Sequence, residues 1–137
     1  MDGGDEQGSM SGSLLAGYRV LGFDLETTGF DHRKDRIVQY ALVGSDADGS
    51  HINLQSIVDP KVKIPPETTR VHGISNDDVR GMGDFSEHAN EIGSMIENSI
   101  IVGHNVLKFD WRFLEVECVR AGMEPVSYTH LTLPTKA

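Results

Sequence analysis

The run YRVLGFDLETTGF, residues 18–30, constrains the fold more than any other stretch of this chain. It reads as a strand that begins at Tyr18 and reaches at least Asp24. Side chains in a strand alternate with period two, so Val20, Gly22, Asp24 and, if the strand continues, Glu26 share one face. Val20, Leu21, Phe23 and Leu25 around the acids give the run the apolar character of a buried strand. Two carboxylates on such a strand are costly to desolvate unless something cationic compensates them.

The downstream pattern indicates the sheet this strand joins. Residues 36–46, RIVQYALVGSD, and residues 50–58 read as two more strands, with a turn at Asp46-Ala47-Asp48-Gly49 between them. The three form an antiparallel meander. Asp59-Pro60 and Pro65-Pro66 then punctuate a connector, and a short helix over Glu67–His72 follows, stopped by Gly73. Ser75 or Asn76 is placed to cap a further turn at Asp77-Asp78-Val79. A helix is expected from Ser86 to about Asn98, with Ala89, Ile92, Met95 and Ile96 on one stripe. Ser99–Gly103, SIIVG, is short and wholly apolar, as a central strand covered on both faces is. A last helix is expected over Asn105–Ala121, ending at Gly122. Strands first, then helix–strand–helix, indicate an α/β domain with a mixed sheet. The long helical connection permits the fourth strand to pair in parallel.

Composition narrows the classes. The chain has 137 residues, enough for one domain, and its net charge of −9 argues against holding nucleic acid mainly by a basic surface. It does not argue against an enzyme that meets phosphate through bound metal, because the ion then supplies the local positive charge. Residues 1–13, MDGGDEQGSMSGS, read as a disordered leader without the basic and apolar regions of a signal peptide. No apolar run approaches membrane-spanning length. The single cysteine, Cys118, excludes an internal disulfide and fits a reducing, cytoplasmic setting. It lies in a helical pattern as a packed thiol rather than a nucleophile.

A third acid joins the first two. Asp110 lies in HNVLKFDWRFL, in the first turns of the last helix and just past the fourth strand. If the first and fourth strands are neighbours, Asp110 approaches Asp24 and Glu26. Three converging carboxylates repel one another unless they bind cations. An all-oxygen set favours Mg²⁺ or Mn²⁺ over Zn²⁺, and a pair of such ions is a recurring device for phosphodiester hydrolysis. The bland alternative is a turn feature at a strand end plus an acid favoured at a helix N-terminus. Spacing alone leaves both open.

FDLETTG resembles the first motif of the DEDD exonucleases, the DnaQ-like family that includes the proofreading epsilon subunit of DNA polymerase III. IPPETTRVHGISNDDV is similar to that family's connector, and VGHNVLKFDWRFL resembles its second motif, usually His-Asn-x-x-Phe-Asp. One extra residue separates His104 from Asp110, a spacing that resembles the three-prime repair exonucleases. The resemblance covers about residues 18–125 and implies a ribonuclease H-like fold and two-metal cleavage at DNA 3′ ends. By it, Asp24 bridges two divalent cations, Glu26 serves the nucleophile-side ion and Asp110 the second. Thr27, His72 and Asn105 match positions that meet the terminal nucleotide. His104 matches a loop-orienting position; Trp111, Phe109 and Phe113 read as helix-to-sheet packing; His51 and His88 have no supporting context. A polymerase or a helicase is the implied kind of partner.

The resemblance also implies a third motif, His-x-x-x-x-Asp on a later helix, supplying a general base and a fourth metal ligand. No such pair follows Asp110: His130 is succeeded by LTLPTKA. Residues 126–135, VSYTHLTLPT, match the translation of a transposase-type sequencing adapter, so the native pattern is expected to end near Pro125. Genomic DNA read through codon 125 decides between that origin and a natural fifth strand. The chain as written is therefore expected to be a partial, inactive exonuclease domain over residues 14–125, followed by a non-native tail. Two other readings stand beside it: a noncatalytic nucleic-acid-binding or scaffold domain, and a ribonuclease of the same superfamily.

Overall fold

In the computed structural model, the described residues are 17–103, 109–123 and 129–132. They form five strands, β1 (Arg19–Thr27), β2 (Ile37–Ser45), β3 (His51–Ile57), β4 (Ser99–Gly103) and β5 (Thr129–Thr132). Three helices accompany them: α1 (Pro66–His72), α2 (Phe85–Ile96) and α3 (Trp111–Arg120). The expected leader (residues 1–13) and the start of the last helix (104–108) lie outside the described residues.

The sheet order is β3-β2-β1-β4-β5. β1 pairs antiparallel with β2 and parallel with β4, Gly22 opposite Val43 on one side and Val102 on the other. The meander and the parallel fourth strand are as the sequence pattern implies. β5 is an addition, because the sequence reading placed no native strand past Pro125. Its backbone runs parallel to β4, with Ile100 opposite Thr129. An uncharged run rich in β-branched residues satisfies the open N–H and C=O groups of a strand edge whatever its origin.

One face of the sheet carries the core. Leu21, Phe23 and Leu25 of β1 and Tyr40 and Leu42 of β2 pack with Phe85, Ala89, Ile92 and Ile96 of α2 and with Trp111, Phe113, Leu114 and Cys118 of α3. Phe23 and Trp111 meet edge to face, ring centroids 6.1 Å apart. Cys118 is buried and its thiol is pushed up to about 11, chiefly by burial and then by Glu117 and Glu115, consistent with a packed rather than a reactive thiol.

A smaller cluster of Val38, Ile64, Ile74 and Val79 ties down the connector around α1. Val38 is the extra residue of a bulge: Glu26 pairs with Gln39, but Thr27 pairs with Ile37. A bulge bends and re-aims its strand, and here it sits beside Glu26. α1 ends at Gly73, whose φ of 80° is one that side-chain-bearing residues adopt only under strain, and whose N–H donates to Thr69 C=O at 2.7 Å.

Candidate active site

β1 delivers Asp24 and Glu26 to the face opposite the core, as period two requires. The expectation that both acids are buried is corrected: Asp24 is exposed and Glu26 half-buried, while Leu21, Phe23 and Leu25 between them fill the core. The desolvation cost falls on Asp110, which is only 9% exposed at the start of α3. Its carboxyl is pushed up to about 7, first by burial and then by the negative charges of Asp24 and Glu26. Parallel pairing of β1 and β4 explains the approach, because the chain leaving the C-terminal end of β4 enters α3 next to the end of β1.

This arrangement has a pH consequence. Asp110 holds its proton more tightly in the folded chain than at the ordinary carboxylate value of 3.8, so its contribution to stability is full at low pH. That contribution is lost as pH rises through about 7. Thermal melts in EDTA are expected to give a lower Tm at pH 8 than at pH 5. Asp110→Asn should flatten that difference; an unchanged slope in the variant would remove Asp110 as its source.

A cavity of ≈ 330 Å³ opens beside Glu26, lined by Leu25, Thr27, Phe30, Val71, His72 and Phe109 among others. Phe30 and Val71 are 87% and 82% exposed at its margin, unusual for large apolar side chains. Thr27 is buried and donates its hydroxyl to Gly29 C=O at 2.6 Å, which shapes the turn after β1. His72 Nδ1 accepts from the Ile74 N–H at 3.1 Å, so the neutral ring carries its proton on Nε2. That Nε2 is buried and has no partner among the described residues. A buried donor without an acceptor costs roughly 1–3 kcal/mol, a cost that a ligand atom in the cavity would offset.

Of the residues singled out from the sequence, the structure brings Asp24, Glu26 and Asp110 within electrostatic reach and sets Thr27 and His72 on the cavity wall. Asn105 and His104 lie outside the described residues. Trp111 and Phe113 are core, but Phe109 is half-buried, lines the cavity and stands 6.1 Å from the Phe30 ring. His88, without context in the sequence, bridges the Tyr40 hydroxyl and Met82 C=O. Sequence reasoning missed Phe30, Val71 and Glu117. Glu117 was detectable as an acid seven residues beyond Asp110, in the same apolar stripe as Phe113 and Leu114.

Asp24, Glu26 and Asp110 offer only carboxylate oxygens, the donor type that suits hard divalent cations, and their mutual repulsion is what a cation relieves. Among the described residues no three His, Cys, Asp or Glu side chains stand close enough together to hold a metal ion. The three acids therefore stand on two elements, β1 and the start of α3, within electrostatic reach of one another but not gathered into one cluster.

A mixed sheet of this order, an antiparallel meander with β4 parallel to the central β1, is a ribonuclease H-like fold. The chain belongs to the RNase T exonuclease family, whose model matches residues 21–136. It is 29% identical over 106 residues to the DNA polymerase III subunit epsilon of Treponema pallidum, covering 77% of this chain and 49% of that protein. It is 33% identical over 101 residues to the PolC-type DNA polymerase III of Clostridium perfringens, covering 73% of this chain and 7% of that one. The chain thus spans about half or less of the length of these relatives. Among solved structures, Escherichia coli Exonuclease I in complex with a dA16 oligonucleotide superposes with a TM-score of 0.72 at 21% identity. That match covers 84% of this chain and 28% of the other, and at such identity it speaks for the fold alone.

Proposed function

We propose that this chain carries the β1 and α3 ligands of a 3′–5′ exonuclease that hydrolyses the terminal phosphodiester of DNA with two divalent cations, Mg²⁺ or Mn²⁺. The observation that carries the reading is the coupling of Asp110 to Asp24 and Glu26 beside a cavity at the small end of the ligand-site range. Asp24, Glu26 and Asp110 hold the cations. When bound, the cations supply an activated water and stabilise charge on the attacking and leaving oxygens. The walls at Leu25, Phe30, Val71 and Phe109 cover the terminal nucleotide and keep water from it. The His72 Nε2–H donates to one of its polar atoms, and Thr27 shapes the floor beside it. Asn105 is assigned to the same nucleotide by its motif.

No His-x-x-x-x-Asp pair follows Asp110, so the 137-residue chain trims 3′ ends poorly or not at all. Removal of a general base alone lowers a rate by ~10²–10⁴-fold. The second reading is a noncatalytic nucleic-acid-binding or scaffold domain on this fold. The likeness to polymerase III subunits supports a polymerase as partner, with a single-stranded or frayed DNA 3′ end as substrate; a helicase partner is the other arrangement. No helix among the described residues is long and apolar enough to cross a membrane.

Thymidine 5′-monophosphate and Mg²⁺ titrated into the ¹⁵N-labelled chain test the reading. Amide shifts are expected at Thr27, Thr68 and His72, to require Mg²⁺, and to vanish in Asp24→Asn. Shifts confined to another surface would sink the proposal, and tighter binding of the ribonucleotide would favour a ribonuclease. Robust Mg²⁺-dependent 3′ trimming by the chain itself would overturn its assignment as inactive.

A further inference from the structure

Glu117 is the most deeply buried acid among the described residues, 1% exposed, and the carboxylate mechanism does not use it. It lies on α3 seven residues after Asp110, close to two helical turns, so both face the same side. Its two oxygens each accept from Arg36 Nε at 3.2 Å, and Oε2 also accepts from the Ile37 N–H at 3.0 Å. Arg120 Nη1 stands 3.5 Å from Oε1, while Arg120 Nη2 donates to Arg33 C=O at 2.9 Å.

The strand end that Glu117 grips is itself tied to the end of β1. The Thr28 N–H donates to Arg36 C=O at 2.9 Å, and the Arg36 N–H donates to Thr28 Oγ1 at 3.0 Å. Thr28 Oγ1 in turn donates to Asp35 Oδ1 at 3.1 Å. A continuous path therefore runs from Glu26 through Thr27 and Thr28 to Arg36, across to Glu117, and up α3 to Asp110.

We propose that Glu117 is a positioning residue for the carboxylate site: it sets the rotation and depth of α3 against β1 and β2, so that Asp110 faces Asp24 and Glu26. Apolar packing alone permits a helix to rotate or slide at low cost. A buried carboxylate bonded to one backbone N–H and one guanidinium admits a single register, the best-attested use of buried ionic groups. Groups bonded directly to metal ligands change affinity ~10–100-fold when removed; Glu117 acts on Asp110 through α3, so its effect belongs at the lower end of that range. The inference rests on reading Asp24, Glu26 and Asp110 as cation ligands.

The test is Mn²⁺ affinity, read from the free-ion electron paramagnetic resonance signal, with the melting temperature of each protein measured alongside. Glu117→Gln keeps the shape and one acceptor but loses the charge. It is expected to stay folded and bind Mn²⁺ about 10-fold more weakly. Ile92→Val, a core change away from the site, lowers Tm but is expected to keep the native affinity. A folded Glu117→Gln with native Mn²⁺ affinity overturns the proposal, as does an equal loss in Ile92→Val. Should Glu117→Gln fail to fold, Arg36→Lys carries the test, because it keeps the charge and the Ile37 bond; an affinity loss supports the proposal and native affinity overturns it. Asp24→Asn separates the two levels. If it binds Mn²⁺ as tightly as the unmodified chain, the cation reading falls and this inference with it; if only the Glu117 arm fails, the cation reading stands.

Discussion

Asp24→Ala is expected to abolish divalent-cation binding by this chain, and to cut exonuclease activity by about 10³-fold in a gene that also encodes the third motif. A bound cation contributes several kcal/mol of transition-state stabilisation, and about 4 kcal/mol corresponds to three powers of ten in rate. The same change should hardly touch the fold. Asp24 is exposed, and exposed substitutions away from special features alter stability by roughly 0.5 kcal/mol or less. Its charge also acts against the ionised form of Asp110, so its removal in EDTA should leave Tm unchanged or raise it. Cation binding by calorimetry, 3′ trimming of end-labelled single-stranded DNA and a thermal melt read the three arms. Retained activity would remove the metal reading; a large fall in Tm would make Asp24 a structural residue.

Gly44→Ala is expected to damage the scaffold instead of the chemistry. Gly44 pairs with Leu21 across the β1–β2 ladder, and a Cβ there would fall 2.0 Å from the Val20 carbonyl oxygen and 3.1 Å from Leu21 Cα. Those are backbone atoms, so relief requires β1 and β2 to part. The cost should reach the upper end of overpacking penalties, about 3 kcal/mol, which for a domain of this size lowers Tm by roughly 10 °C. Gly22→Ala is the control: its Cβ would meet only Val43 C=O at 3.5 Å, an ordinary contact, and its Tm should stay close to native. Equal melting of the two variants would mean that the ladder yields more readily than this geometry allows.

The contrast between those glycines shows where legibility stopped. Both stand in strand-like runs, and nothing local distinguishes them; only the neighbouring strand makes one position crowded. The same holds for the acids. Period two placed Asp24 and Glu26 on one face correctly, because alternation is a property of the chain itself. Which face was buried is a property of the packing, and α2 and α3 cover the other one. The burial cost expected for Asp24 and Glu26 is therefore borne by Asp110. His72 was legible as a residue beside Gly73, but that its Nε2 has no partner among the described residues depends on the bend that brings Ile74 back to its ring.

The sequence by itself determined the order of elements, the mixed sheet with a parallel fourth strand, and the identity of three carboxylates. Strand period, helix stripe and turn residues are local, and the motifs are read in order along the chain. Tertiary structure alone decided the rest: which carboxylate is desolvated, that Phe30 and Val71 flank one cavity, and that Glu117 joins α3 to the end of β1 through Arg36. These depend on contacts between residues distant in the chain, and no spacing rule encodes how far a helix turns before it meets a strand.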